Sequence, residues 1–284
     1  MSPGIGYALG AMLLFGVGDL IYKRGAAAGA LPHQFLMVQS WVFLPTVTAY
    51  ALLTGSLRFA AGTLWGALAG VFVLTGFYNF AHSLKSGPVS VNAPVFRLSF
   101  VITAGLAVAL LGEPLTAFKL AGIALALAAV WLLLGARSGN DGARRESASS
   151  LARVLVATAA VGVGNVVYKY GLRAGATPAS LIVAQAVVVV SCSTTFVYAV
   201  DRRIRPSRAV LRHAPMAAVA LALAFCAMVE SLARADASVV VPVAQMGFVV
   251  TSLVGFLFLR EPFSARKGAG LVAAIAALAS LAYG

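Results

Sequence analysis

The segment GVGDLIYK at residues 16–23 recurs in the second half of the chain as GVGNVVYK at residues 162–169. Extended to residues 15–44 and 161–190, the ungapped alignment has 12 identities in 30 positions. Alanines and valines match by chance in a chain of biased composition, but a matched Tyr-Lys pair does not. The two segments therefore indicate an internal repeat.

A second block of the sequence repeats at a slightly larger offset. Glu113-Pro114 pairs with Glu261-Pro262, 148 residues later. Because both blocks are spaced by nearly the same distance, the repeat extends through most of each half. The sequence therefore predicts that one structural unit occurs twice.

The composition places both units in a membrane. Of 284 residues, 61% are apolar and 10% are charged, whereas soluble domains average about 45–50% and 25%. A membrane-spanning helix needs about 20 apolar residues, so a chain of this length holds about ten. Apolar runs such as residues 120–134 lack the alternation of a transmembrane β-barrel. The sequence predicts an all-α integral membrane protein.

Charged residues, prolines and glycine-rich breaks divide the chain into ten predicted spans. A polar segment at 136–150 is typical of a linker between a first five-helix repeat at 1–135 and a second at 151–284. Because five is odd, the second repeat enters the membrane from the opposite side, which predicts an inverted repeat. Secondary transporters have this architecture, with the substrate site between the halves. The spans cover residues 4–24, 33–54, 62–82, 89–111, 116–135, 151–171, 178–200, 213–233, 237–259 and 264–283.

The ten-span duplicated pattern, with LLGEPL at 110–115 and LREPF at 259–263 closing the fourth and ninth spans, resembles the EamA-type transporters of the drug/metabolite transporter superfamily. The resemblance covers almost the whole chain. It implies a secondary active transporter that exports small organic metabolites such as amino acids, by alternating access and without a nucleotide-binding domain. Two alternatives stay open: efflux of drugs or amphipathic cations, and a membrane enzyme or scaffold that transports nothing.

The sequence supports neither an enzyme nor a metal site. The three histidines are dispersed, and no Cys/His cluster has metal-ligand spacing. We therefore expect no cofactor. Cys192 and Cys226 both lie in apolar runs, and we interpret them as packing residues.

Arg97 is the leading candidate for substrate binding. It lies about eight residues into the fourth span, where a charge costs about 2.5–3.5 kcal/mol, so it should face a wet cavity or a partner. Its guanidinium suits a carboxylate or phosphate of the substrate. An ion pair with a carboxylate on a neighbouring span is the equally weighted alternative. The repeat pairs Arg97 with Gln245, which we include in the candidate site.

Four further side chains are candidates for contact with the substrate. Gln39 and Gln185 occupy equivalent positions on the second span of each half, where each either binds substrate or bridges helices. Tyr78 and Trp41 either line an apolar pocket or anchor the protein at the membrane interface.

Three ionisable residues are candidates for coupling transport to protons. Asp19 stands where the second half has Asn165, and its alternative role is a local pair with Lys23, four residues later. Glu230 and His82 occupy equivalent positions near the ends of the eighth and third spans. Their alternative role is contact with water at the lipid headgroups.

Paired prolines predict helix interruptions near the site. Pro94 and Pro242 lie at equivalent places early in the fourth and ninth spans, and each lacks the amide proton that a helix interior uses. Such paired interruptions point to a transport site, although prolines in a first helical turn are harmless. We interpret Glu113 and Glu261 as turn residues.

The net charge of +13 reflects membrane topology, because the 21 basic residues are scattered through short loops instead of forming a nucleic-acid-binding stripe. Fifteen fall on odd-numbered loops and five on even-numbered loops, which places both termini outside the cytoplasm. The family resemblance implies cytoplasmic termini instead. We expect a multi-pass protein of the inner (plasma) membrane whose partners are the lipid bilayer, a small-molecule substrate and protons. The oligomeric state is open, and a monomer is compatible.

Overall fold

The computed structural model describes residues 3–86, 92, 95–134, 144–247, 249–250 and 265–283. Within these ranges the chain is helical and contains no β-strand, so the all-α prediction is confirmed for this part of the protein. The helices are α1 (Pro3–Ala27), α2 (Pro32–Leu53), α3 (Leu64–Ser86), α4 (Ser99–Leu111), α5 (Ala117–Leu134), α6 (Arg144–Arg173), α7 (Pro178–Asp201), α8 (Arg208–Arg234), α9 (Ala237–Gln245) and α10 (Ala265–Tyr283). A 3₁₀-helix at Ala61–Thr63 precedes α3.

Six of the described helices are long and apolar enough to cross a membrane. They contain the spans Pro3–Tyr22, Pro32–Leu53, Ala61–Ser83, Ser149–Arg173, Pro178–Asp201 and Arg208–Arg234, and shorter apolar helices lie at Val95–Leu111, Ala117–Leu132 and Gly268–Leu281. Each predicted span overlaps at least one of the described helices, although the count of ten membrane crossings stays a prediction.

Repeat-matched prolines begin α2 and α7. Pro32 and Pro178 are each the first residue of their helix, a position where the missing amide proton costs nothing because that N–H would have no partner in the helix. The equivalence of the two halves is therefore visible in where their second helices begin.

Large apolar side chains cover the outside of the helices. Trp131 is 65% exposed, Val272 is 68% exposed and Ile275 is 65% exposed. Contiguous apolar surface of this kind is rare on soluble monomers. Lipid acyl chains suit these faces.

The helices pack mainly between the two halves of the sequence. α1 packs against α8, α3 against α6, α4 against α6, and α1 against α9. α2 contacts both α7 and α8, while α3 contacts α7, α5 contacts α10, and α4 contacts α9. If each helix is replaced by its equivalent in the other half, every one of these contacts becomes another of them or stays the same. The halves are thus interleaved and do not form two separate bundles.

Glycines allow α3 to approach α7 closely. A Cβ atom on Gly66 would lie 2.3 Å from the carbonyl oxygen of Leu181, and one on Gly70 would lie 2.9 Å from that of Gln185. Side chains at these positions would force the helices apart. The close approach sets the position of Gln185 opposite α3.

The segment predicted as a linker is partly helical. α6 begins at Arg144, so the last residues of 136–150 belong to this helix, while residues 135–143 lie outside the described ranges. The boundaries of the two repeats, at 1–135 and 151–284, stay predictions.

Candidate functional site

A cavity of about 550 Å³ lies between α2, α3 and α7. It occurs where α2 begins and where α3 and α7 end, as shown by the positions of Pro32, His82 and Val200 in its wall. The volume lies in the range of about 300–1,000 Å³ that is usual for small-molecule sites. A small organic molecule therefore fits this cavity.

Aromatic and polar side chains of α3 form one wall of the cavity. The Tyr78 ring packs edge-on against His82 and Phe196, with centroids 5.8 and 5.0 Å away. His82 Nδ1 is buried and has no hydrogen-bond partner among the described residues. Such an atom is usually satisfied by water or ligand. The structure thus brings Tyr78 and His82, both predicted from the sequence, to one cavity.

Gln39 and Gln185 make equivalent hydrogen bonds in the two halves. The Tyr22 hydroxyl donates to Gln39 Oε1, and the Tyr168 hydroxyl donates to Gln185 Oε1. Each bond joins the first helix of a half to its second, as the helix-bridging alternative expects. Both glutamines also line a smaller cavity of about 30 Å³.

The smaller cavity adjoins the larger one. Leu36 and Leu74 line both of them, and Gln39 lies one turn further along α2 from Leu36. The two glutamines therefore lie next to the larger cavity but are not among its lining residues.

Arg97 is held by two of the residues predicted for the site. Its Nη2 donates to the Asp19 carboxylate in α1, and its Nη1 lies 3.4 Å from Gln245 Oε1. The Arg97 side chain is 13% exposed, whereas that of Asp19 is 37% exposed. The buried charge is thus neutralised by a carboxylate on a neighbouring helix, and neither residue is among those that line the two cavities.

The charged pair occurs in one half only. Asn165, the repeat mate of Asp19, donates through Nδ2 to Thr103 Oγ1 at 3.1 Å, and Thr103 donates to the Gly162 carbonyl at 3.1 Å. The side chain of Lys23, the other partner expected for Asp19, lies outside the described residues.

Two candidate residues lie away from the cavity. Trp41 Nε1 donates to Thr194 Oγ1 at 2.8 Å and joins α2 to α7. Glu230, near the end of α8, accepts from Arg234, and the Tyr50 hydroxyl lies 3.5 Å away. Neither Trp41 nor Glu230 is among the lining residues of the two cavities.

Of the two predicted proline interruptions, the structure describes the one in the second half. Pro242 is the sixth residue of α9, beyond the first turn, and α9 ends three residues later at Gln245. Pro94 lies outside the described residues.

Glu113 has a role that sequence reasoning missed. Its carboxylate accepts hydrogen bonds from the Ala237 N–H at 2.8 Å, the Ser238 N–H at 2.9 Å and the Ser238 hydroxyl at 2.6 Å. Glu113 lies in the turn between α4 and α5, as predicted, and it also caps the N-terminus of a helix in the other half. The signal was the Glu-Pro pair in both halves. Glu261 lies outside the described residues.

The two cysteines differ, which corrects their common interpretation as packing residues. Cys192 is exposed and lines the larger cavity, whereas Cys226 is buried in the core. A thiol reagent can therefore reach one of them selectively.

Comparisons with known proteins bear on the family and the fold of the chain. The sequence model of the EamA-like transporter family matches residues 2–135 and, a second time, residues 149–283. No curated protein matches the chain. Among solved structures, the chain is similar to a crystal structure of a protein of 17% identity, with a TM-score of 0.84 over 99% of this chain and 98% of that chain. This structural similarity shows the fold alone.

Proposed function

The chain belongs to the EamA-like transporter family, and from this premise we propose that it is a secondary active transporter that exports small organic metabolites such as amino acids. The family match over both halves confirms the resemblance seen in the sequence and makes the chain a multi-pass membrane transporter. The observation that carries the proposal is the cavity of about 550 Å³ between α2, α3 and α7.

Alternating access between two inverted repeats is the proposed mechanism. The helix contacts support this mechanism, because each contact has an equivalent when the two halves are exchanged. In such a twofold arrangement, the contacts that close one end can form while the equivalent contacts at the other end break. The cavity lies at one end of the helices, as expected for a transporter open to one side of the membrane.

The proposed substrate site combines the larger cavity with the two glutamines and with Arg97. Tyr78 supplies an aromatic wall, and Gln39 and Gln185 supply amide groups next to the larger cavity. Arg97 already holds the Asp19 carboxylate in this state. To bind a carboxylate of the substrate, it would release Asp19 and bind the substrate in its place. Gln245, 3.4 Å from Arg97, would orient the guanidinium.

Asp19 and His82 are the better placed of the three coupling candidates. Protonation of Asp19 would free Arg97 for the substrate, which links the two binding events. His82 lines the cavity with a buried ring nitrogen that has no hydrogen-bond partner within the described ranges. Glu230 is held at the end of α8 by Arg234, which supports a structural role.

Efflux of amphipathic cations is the second candidate function. The described residues that line the larger cavity include no Lys, Arg, Asp or Glu, and Tyr78 and Phe196 offer their rings. Aromatic rings attract cations and apolar groups. An anionic substrate depends on Arg97, whereas an amphipathic cation does not.

The test uses the single accessible thiol. A Cys226→Ala protein in liposomes is loaded with single amino acids or with an amphipathic dye, and release is followed under an imposed pH gradient. Attachment of a bulky maleimide to Cys192 should stop release, because the adduct fills the cavity. The matched control, Cys192→Ala with Cys226→Ala, should transport and resist the reagent. Transport that continues after complete labelling of Cys192 would place the substrate path elsewhere.

A further inference from the structure

The end of the molecule remote from the cavity is tied across the two halves. α2 begins at the cavity and is 22 residues long, so it ends about 33 Å away at 1.5 Å per residue. There the Thr177 hydroxyl donates to the Ser56 carbonyl at 2.6 Å, and Arg173 donates to the Leu111 carbonyl at 2.9 Å. We call this region, with the connections 54–60, 112–116, 174–177 and 235–236, the Glu113 end.

Glu113 makes three of the hydrogen bonds that join the two halves at this end. Asp236 is the residue before α9, yet its side chain makes no capping bond, and Glu113 from the first half takes that role. Gly112 has a φ of +67°, a left-handed conformation that glycine adopts without strain and that turns the chain out of α4. The buried carboxylate, 5% exposed, thus caps a helix 124 residues away with three hydrogen bonds.

Two lysines donate hydrogen bonds to the connection between α8 and α9. Lys119 Nζ donates to the Asp236 carboxylate at 2.6 Å and to the Pro114 carbonyl at 3.0 Å. Lys169 Nζ donates to the carbonyls of Leu232 and Ala235, both at 2.6 Å, at the end of α8. Glu113, Asp236 and the two ammonium groups therefore lie together around the start of α9.

We propose that Glu113 is a positioning residue of the transport cycle: its bonds to the start of α9 keep the Glu113 end closed while the cavity is open, and they must break before this end opens. The inference rests on the proposed transport function. All three of its donors lie at the start of α9 in the other half, so any movement of α9 away from the connection at 112–116 breaks the whole set. Water can replace them, because a carboxylate exposed by opening is readily hydrated.

The test measures which end is open and needs no substrate. In a Cys226→Ala background, Cys192 reports on the cavity end. Thr46→Cys, combined with Cys192→Ala, reports on the Glu113 end, because the repeat pairs Thr46 with Cys192 at an offset of 146 residues. The rate of alkylation by a hydrophilic maleimide is measured on purified protein in detergent, where both ends are accessible to the reagent.

Glu113→Gln should slow labelling of Cys192 and speed labelling of Thr46→Cys, so that the ratio of the two rates changes by about fivefold, the effect of losing one helix cap on a two-state equilibrium. Ser238→Ala removes one of the three donors and should shift both rates less, in the same directions. The matched control is Thr116→Ala, which removes the cap of α5 at the same end but within one half, where Thr116 Oγ1 accepts from the Lys119 N–H at 3.1 Å. It should change neither rate.

Three results would overturn the proposal: unchanged rates in folded Glu113→Gln, faster labelling at both ends, or equal effects of Thr116→Ala. If Glu113→Gln does not fold, the two rates of Ser238→Ala decide in the same way. A failure to find any transported metabolite would contradict the proposed function alone, because the labelling rates report on conformation without transport.

Discussion

Asp19 in α1 accepts a hydrogen bond from Arg97, 78 residues later in the chain, and Gln245 lies 3.4 Å from the same guanidinium. The pair therefore joins the first and fourth predicted spans of one half to the ninth span of the other. Its charge is compensated in the state described. A substrate carboxylate that binds Arg97 must displace Asp19, and this competition can be tested.

Arg97→Gln, which copies the repeat mate Gln245, should weaken binding of an anionic substrate by about thirtyfold or more, since loss of a buried charged pair costs on the order of 2–5 kcal/mol. Arg97→Lys keeps the charge but loses the planar fork and should bind at intermediate strength. Substrate affinity is measured by calorimetry on purified protein. Wild-type affinity in both folded variants would remove Arg97 from the substrate site.

Asp19→Asn, which copies Asn165, should make transport independent of the proton gradient, because its amide cannot titrate, and should lower thermal stability, because the buried Arg97 loses its carboxylate partner. Transport is measured in liposomes at several values of internal pH. A purely structural pair predicts the same loss of thermal stability but an unchanged pH dependence of transport per folded molecule.

These contacts show what the sequence can and cannot predict. The repeat placed Gln39 and Gln185 at equivalent positions, and hydropathy placed Arg97 inside a span, because both features depend on spacing along the chain. The partners Asp19 and Tyr168 could not be assigned, since a helix pattern does not state which faces meet. The capping role of Glu113 could not be assigned for the same reason, because its donors lie 124 and 125 residues away.

Removal of the Tyr168 hydroxyl should destabilise the protein more than removal of the Tyr22 hydroxyl. Tyr168 is fully buried, so Tyr168→Phe leaves the Gln185 oxygen without its donor, at a cost of about 1–3 kcal/mol. Tyr22→Phe leaves a half-buried group that water can reach. Thermal unfolding in detergent gives the ranking, with the exposed Tyr283→Phe as control. Equal stability of all three variants would contradict the buried bond.

The α3–α7 contact should be sensitive to a single methyl group. Gly66→Ala places a Cβ 2.3 Å from the Leu181 carbonyl oxygen, and overpacking of this kind costs about 1–3 kcal/mol. Gly105→Ala is the matched control, because a Cβ there meets nothing within 4 Å and should stabilise helix α4 by about 0.5–1 kcal/mol. The melting temperatures should therefore move in opposite directions, and a fall in both would show that helix backbone effects dominate.

The distribution of basic residues predicts the orientation of the chain. With fifteen of 21 basic residues on odd-numbered loops, a reporter fused after Gly284 should be outside the cytoplasm. Cytoplasmic activity there would favour the orientation that the family resemblance implies. A reporter inserted at 139–143 should give the opposite answer, because five spans separate the two positions. The same answer at both sites would contradict the count of ten spans.

A transported substrate should protect Cys192 from alkylation. Cys192 lines the larger cavity, together with Tyr78 and His82, so a molecule bound there shields the thiol from a hydrophilic maleimide. At a concentration 100 times its Kd the substrate occupies about 99% of the sites, and the labelling rate of Cys192 should fall by up to about 100-fold. The rate is measured in the Cys226→Ala background, over a substrate series. Protection that saturates at the transport KM would identify this cavity as the substrate site. Protection that also appears with a metabolite the protein does not transport would reflect a change of conformation, and a rate unaffected by a transported substrate would place the binding site away from Cys192.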